Sequence, residues 1–268
     1  MKRIMAKPES NPLQTDIPEY DAVIIGAGIA GMYQLYRLRE KGLNVRAIEA
    51  GGEVGGTWYW NCYPGARVDS ESHLYQYWFS EELNEKWNWS ERFPAQPEVE
   101  RYLNFVAEEC NLKRDIQFNT RIISAKYDEG IKRWIISTDT KEVFSAQFFI
   151  SCAGMLSAPM TSSLPDQSSF KGQLFHTARW PKEPVELDGK RVAVIGTGAT
   201  GMQVVQTIAS QVAKLTVFQR TPQYAIPIRN PKLTDADRAA FKKRFHELRE
   251  KVKGTFVGFD YDFESKAT

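Results

Sequence analysis

Gly26-Ala27-Gly28-Ile29-Ala30-Gly31 and Gly196-Thr197-Gly198-Ala199-Thr200-Gly201 are the two stretches on which the fold turns. Each follows a short run of strand type, the apolar Ala22 to Ile25 in one case and Arg191 to Ile195 in the other, and each opens a helical pattern. A GxGxxG loop in that setting has a mechanical reading. The first glycine permits the tight turn, the second lets backbone approach a pyrophosphate, and the third allows close helix–strand contact. The helix N-terminus then offers amide donors to the anion.

Outward from the first loop, Ile29, Met32, Leu35 and Leu38 are spaced to share one helix face, Gly42 stops the helix, and Asn44 to Ile48 reads as the next strand, ending at Glu49. Outward from the second, the helix runs to about Ala213 and Leu215 to Gln219 is its strand, followed by Arg220 and Thr221. The strand ends separate the two ligands. Glu49, 23 residues after Gly26, can accept from both ribose hydroxyls and would repel a 2′-phosphate, which suits the adenosine of FAD or NAD. Arg220, 24 residues after Gly196, places a guanidinium beside the Thr221 hydroxyl, which suits the 2′-phosphate of NADPH. FAD in one site and NADPH in the other would mean hydride transfer onto flavin.

The expected fold class is α/β, with two Rossmann-like, doubly wound, three-layer dinucleotide-binding domains. Alternating runs near Ile122–Tyr127, Trp134–Thr138 and Val143–Cys152, the first two separated by Asp128-Glu129-Gly130, predict an antiparallel meander in the first. Pro97 to Cys110 reads as a helix, and residues 51–92, with five of the seven tryptophans, as aromatic-rich loop. Beyond Pro231, Thr234 caps one more helix, with Phe241, Phe245, Leu248 and Val252 on its apolar face and Gly254 at its end, the start of a helical insertion. The expected domains are a disordered tail over 1–20, a FAD-binding part over 21–153, a Ser/Pro-rich linker over 154–172 and an NADPH-binding part over 173–268.

With 42% apolar and 25% charged residues and a net charge of +2, the chain has an ordinary core and no field suited to nucleic acid. Cys62, Cys110 and Cys152 lie far apart, giving no metal site and suiting a reducing compartment. No apolar run approaches the roughly 18–20 residues that a bilayer span needs, and the first twenty residues contain no hydrophobic stretch of signal-peptide type. The expected location is the cytoplasm.

Two further stretches narrow the chemistry. Gly55-Gly56-Thr57-Trp58-Tyr59-Trp60-Asn61-Cys62-Tyr63-Pro64-Gly65-Ala66-Arg67-Val68-Asp69 resembles the long signature of type I Baeyer–Villiger monooxygenases. Phe170-Lys171-Gly172-Gln173-Leu174-Phe175-His176-Thr177-Ala178-Arg179-Trp180-Pro181 resembles the FxGxxxHxxxWP fingerprint of the same family, close to phenylacetone and cyclohexanone monooxygenases. Flavin-containing monooxygenases, which oxidise N or S atoms, are the alternative; their fingerprint generally lacks the tryptophan found here at Trp180. A non-catalytic nucleotide-binding fragment is the other.

The resemblance implies FAD contacts from Gly26, Gly28, Ala30, Gly31, Glu49, Gly56, Thr57, Trp58, Asp69 and Tyr75. It implies NADPH contacts from Gly196, Thr197, Gly198, Ala199, Thr200, Gly201, Gln203, Arg220 and Thr221. Asp69 would orient an essential arginine, and Phe170, Gly172, His176 and Trp180 would act in domain orientation, with His176 structural and not an acid or base. The implied reaction inserts one oxygen of O2 beside a ketone carbonyl through a C4a-peroxyflavin, giving an ester or lactone. Tyr59, Trp60 and Tyr63 are read equally as packing or flavin contacts, and Cys62 has no assigned role. The family's arginine and a lysine for the 2′-phosphate are matched to no residue of 1–268, and Arg67 is not promoted to that place. A missing C-terminal half is therefore expected, with the 268-residue chain binding FAD poorly and oxygenating no ketone by itself.

Overall fold

The computed structural model describes residues 17–160, 164–255 and 258–260. It is an α/β chain that divides into two compact units, Met1–Glu53 with Leu112–Ala153, and Val54–Asn111 with Gly154–Thr268.

The first unit is built on a six-stranded mixed sheet. Strand β1 (Glu19–Ile25) leads through the first glycine loop into α1 (Ile29–Glu40) and then β2 (Val45–Ile48). Helix α1 ends in a Schellman motif: Leu43 N–H reaches the Leu38 carbonyl and Gly42 N–H the Arg39 carbonyl, with Gly42 at φ +76°. Strand β1 begins two residues before the expected Asp21, because Glu19 and Tyr20 pair with Ser145 and Ala146. The other strands are β3 (Ile116–Gln117), β4 (Ile122–Asp128), β5 (Arg133–Thr138) and β6 (Val143–Ser151), in the spatial order β3-β2-β1-β6-β5-β4. The expected meander is present: β4, β5 and β6 pair antiparallel, and β6 returns parallel to β1. Val23, Ile48, Ile136, Phe144 and Ala146 form one buried cluster on this sheet. On α1, Met32 and Leu35 are buried as expected, whereas Ile29 is 37% exposed at the first turn, where the helix leaves the loop.

The second unit contains the aromatic stretch. It folds as two short helices, α2 (Thr57–Trp60) and α3 (Glu81–Lys86), and the expected long helix α4 (Gln96–Glu109). Ser80 caps α3 and Pro97 opens α4. Val99, Tyr102, Leu103 and Val106 bury the inner face of α4, with the rings of Trp87 and Trp89 against Tyr102. The second β-α-β unit follows as β7 (Arg191–Ile195), α5 (Ala199–Ile208) and β8 (Lys214–Phe218), a parallel pair. Helix α5 stops five residues before the expected Ala213, because Ala213 N–H already bonds the Lys190 carbonyl to open β8.

The single helix expected after Pro231 is two, α6 (Asp235–Lys243) and α7 (Phe245–Lys253), broken at Arg244. Thr234 caps the first in a capping box with Asp237. Phe245 and Leu248 of α7 are buried, and Phe241 stacks on His73 at 4.3 Å.

Residues 54–111 fall in the same compact unit as the second glycine loop. Hydrogen bonds within that unit run from Arg92 N–H to the Pro231 carbonyl, from Leu233 N–H to the Ser90 carbonyl, and from the Asn230 side chain to both Phe93 N–H and its carbonyl. The expected linker 154–172 falls in the same unit; its residues 161–163 and the expected tail over 1–16 lie outside the described residues. Among the described residues no helix is long and apolar enough to cross a membrane.

Candidate functional site: two glycine loops and an aromatic signature

The first loop is held by its own backbone. Gly26 sits at φ +93°, donates its N–H to the Ile48 carbonyl at 2.8 Å, and would bring a Cβ within 2.7 Å of the Cys152 carbonyl oxygen. A Cβ at Gly31 would lie 1.9 Å from the Gly26 carbonyl oxygen, so helix and loop meet only because it is absent. Gly28 caps α1 with an extended backbone, φ −77° and ψ −170°. Burial pushes the neighbouring Cys152 thiol up in pKa.

Glu49, only 5% exposed, is fixed at both oxygens: Ala27 N–H donates to Oε2 at 2.7 Å and Gly51 N–H to Oε1 at 2.7 Å. A carboxylate has about four acceptor positions, so two remain open. The spacing puts Glu49 at the end of β2, where the structure has it, and gives no sign of the two amides that aim it.

The second loop repeats the geometry. Gly196 is at φ +104° with its N–H 2.9 Å from the Phe218 carbonyl, Gly198 caps α5 at φ −67° and ψ −180°, and a Cβ on Gly201 would stand 2.3 Å from the Gly196 carbonyl oxygen. Arg220 and Thr221 are both exposed, just beyond β8. Gln219 lies between strand and arginine, and its Nε2 donates to Thr197 Oγ1 at 3.0 Å. Ala199 and Thr200 form the first turn of α5.

Gln203, expected to face a nucleotide, has its side chain engaged within its own unit. Its Oε1 accepts from the Tyr63 hydroxyl at 2.9 Å, and its Nε2 donates to the Arg67 carbonyl at 3.1 Å. Gly65, at φ +82°, fits between them because a Cβ there would meet Thr207 Oγ1 at 2.2 Å and the Gln203 carbonyl oxygen at 2.4 Å. The Tyr-Pro-Gly turn is thus seated on α5, a contact with no signal in sequence spacing. The Tyr63 hydroxyl is held by Gln203.

In the aromatic signature, Gly55 and Gly56 at φ +128° and +54° open the single turn of α2. Trp58 Nε1 donates to the Tyr75 hydroxyl at 2.9 Å, and the rings meet edge-on at 5.7 Å. Burial pushes the Tyr75 phenol up in pKa; the Trp58 hydrogen bond opposes this and the Asp69 carboxylate adds to it. Trp58, Tyr75 and Asp69 are thereby brought into one neighbourhood, with Asp69 itself exposed. Arg67 is committed to the Phe93 carbonyl at 2.8 Å and to Glu91. Ala30 and Thr57 are both exposed.

The 170–181 fingerprint packs back on that signature. Cys62 donates its S–H toward the Trp180 carbonyl at 3.5 Å, and Lys182 bonds the Tyr59 carbonyl with its ammonium 4.1 Å from the Tyr59 ring centroid. Phe175 and Trp180 lie ring to ring at 5.3 Å. The Phe170 ring lies over Gly172, 2.7 Å from where a Cβ would stand. His176 accepts from Ala178 N–H at Nδ1, capping the short turn Thr177–Arg179, which is a structural use of the imidazole. Cys62 and Lys182 are the residues that sequence reasoning left without a part.

Residues 20–257 match the model of the flavin-binding monooxygenase-like family. Acetone monooxygenase (methyl acetate-forming) of Gordonia sp. (strain TY-5) is 56% identical over 243 residues, covering 91% of this chain and 46% of that protein. The structure of cyclohexanone monooxygenase from Rhodococcus sp. Phi1 bound to NADP+ superposes with a TM-score of 0.89 at 41% identity, over 92% of this chain and 46% of that one. A complex of OTEMO with FAD and NADP gives 0.87 at 42% identity, over 91% and 47%. The chain spans about half the length of the relatives it matches. It belongs to the flavin-binding monooxygenase-like family.

Proposed function

We propose that this chain carries the FAD and NADPH sites of a Baeyer–Villiger-type monooxygenase, which inserts one oxygen atom of O2 beside a ketone carbonyl to give an ester or lactone. The observation that carries the reading is the pair of glycine loops with one backbone geometry and opposite chemistry at the strand ends, Glu49 against Arg220. In this reading each β-α-β unit is Rossmann-like, the FAD-binding part spanning 21–153 and the NADPH-binding part 173–268, with α6 and α7 opening a helical insertion.

The residues fit the two groups. In the first unit Gly26, Gly28, Ala30 and Gly31 leave backbone bare for a pyrophosphate, and Glu49, aimed by the Ala27 and Gly51 amides, takes the ribose hydroxyls. In the second unit Gly196 to Gly201 do the same for NADPH, and Arg220 with Thr221 holds the 2′-phosphate. Gln203 keeps only its spare amide capacity for the nucleotide. Gly56, Thr57, Trp58 and Tyr75 are proposed flavin contacts, and Asp69 a positioning carboxylate for an arginine. Bound FAD would accept hydride from NADPH and deliver electrons to O2. This chain's part is to bind and orient the nucleotides. Phe170, Gly172, His176 and Trp180 fold the fingerprint on which their alignment depends.

The test is an exchange: residues 20–257 replace the matching segment of the Gordonia acetone monooxygenase. NADPH-dependent formation of methyl acetate from acetone is expected. A well-folded chimera that binds FAD and NADPH yet forms no ester, or that oxygenates only amines and sulfides, overturns the Baeyer–Villiger reading.

A further inference from the structure

We infer that Gln219 is a specificity-determining residue of the second nucleotide site, a neutral counterpart of Glu49 that faces the adenosine ribose and is held there by Thr197. The inference rests on the second loop being the NADPH site and adds to it a residue that the spacing argument passed over.

The correspondence comes from strand register. Ile25 pairs with Ile48 in the first unit and Ile195 with Phe218 in the second. Gly26 donates to the Ile48 carbonyl and Gly196 to the Phe218 carbonyl, at 2.8 and 2.9 Å. The residue that follows is Glu49 in one unit and Gln219 in the other, so Arg220 stands one place beyond the ribose-facing position. Ala27 and Thr197 correspond in the same way. In the first loop the Ala27 backbone amide holds the acid; in the second the Thr197 hydroxyl holds the amide, at 3.0 Å, and leans on the Thr221 carbonyl at 3.5 Å.

The exchange has a chemical consequence. A glutamate at 219 would set a full negative charge against a 2′-phosphate. The glutamine keeps a carbonyl oxygen that can accept from a ribose hydroxyl, and a second N–H that can donate to phosphate oxygens, with no net charge. Among the described residues no carboxylate pairs with Arg220, so its guanidinium is available to the same phosphate. Discrimination then has two parts: the cation of Arg220 attracts, and the neutrality of Gln219 avoids repulsion.

The experiment measures the affinity of the acetone monooxygenase chimera carrying residues 20–257 for NADP+ and NAD+ by calorimetry, with FAD in excess so that the first loop does not take up the adenine nucleotide. Gln219→Glu, an isosteric change at an exposed side chain, is expected to weaken NADP+ by about tenfold or more relative to NAD+, since a carboxylate and a phosphate a few ångströms apart repel that much even in water. Thr197→Val should lower the NADP+/NAD+ preference about threefold by releasing Gln219, and Thr197→Ser should restore it. Equal losses for the two nucleotides with Gln219→Glu, or no loss, overturn the inference and leave the NADPH site standing. Binding of neither nucleotide by the well-folded, unmutated chimera overturns both.

Discussion

At Gly26, the first glycine of the first loop, a side chain has no room, while at Gly196, its counterpart in the second, it would face open space. A Cβ on Gly26 meets the carbonyl of Cys152, which β6 brings alongside β1; one on Gly196 meets nothing within 4 Å. Yet the loops share a left-handed first glycine, an extended cap and a third glycine pressed on the first. Their shape is therefore set within the loop and its own helix. The crowding at Gly26 is contributed by the chain leaving the neighbouring strand β6, and among the described residues β7 pairs only with β8. The two strand ends diverge in the same spirit: a buried acid clamped by two amides, and an exposed glutamine–arginine pair braced by one hydroxyl.

Alanine at the first glycine of each loop tests the contrast most severely. Both substitutions force a left-handed Cβ, at about 1–2 kcal/mol, but only Gly26→Ala also meets backbone, so it should cost roughly 3 kcal/mol or more. Hydrogen exchange read separately in β1 and β7 gives the two values; equal costs would dissolve the contrast. Arg220→Ala comes next and sharpens the chemical half of the comparison. It should weaken NADPH by about 2 kcal/mol, some thirtyfold, and NADH far less. Equal losses in a two-nucleotide titration would remove Arg220 from the 2′-phosphate. Smallest is Glu49→Gln, which leaves one of the Ala27 and Gly51 amides facing an NH2 group. A stability loss of about 1 kcal/mol is expected, with weaker quenching of FAD fluorescence. A variant indistinguishable in both would show that the two amides do not aim this side chain.

Much of this was legible in the residues. The glycine spacing announced both loops, because left-handed turns and close helix contacts demand glycine wherever they occur. Alternation gave the meander, and Thr234 gave a helix start, which Asp237 closes as a capping box. Less was legible where pairing is remote. Strand β3 is two residues long and exists because β2 is beside it. The break at Arg244 interrupts an apolar spacing that continues through it, so periodicity alone ran the two helices together. Gln219 was passed over because counting residues from the glycine favoured the charged side chain next to it.

Local chemistry, then, was determined by sequence alone: where the chain turns, which helices start, and that an acid ends one strand while a base follows the other. Tertiary structure decided which partners hold those groups. Glu49 needs amides from Ala27 and Gly51, the Tyr63–Gly65 turn needs α5 beneath it, and Cys62 and Lys182 find their carbonyls more than a hundred residues away. The reason is physical. Backbone preference and capping act over a few residues, whereas the direction in which a side chain is aimed depends on hydrogen bonds and contacts with segments that only folding brings near.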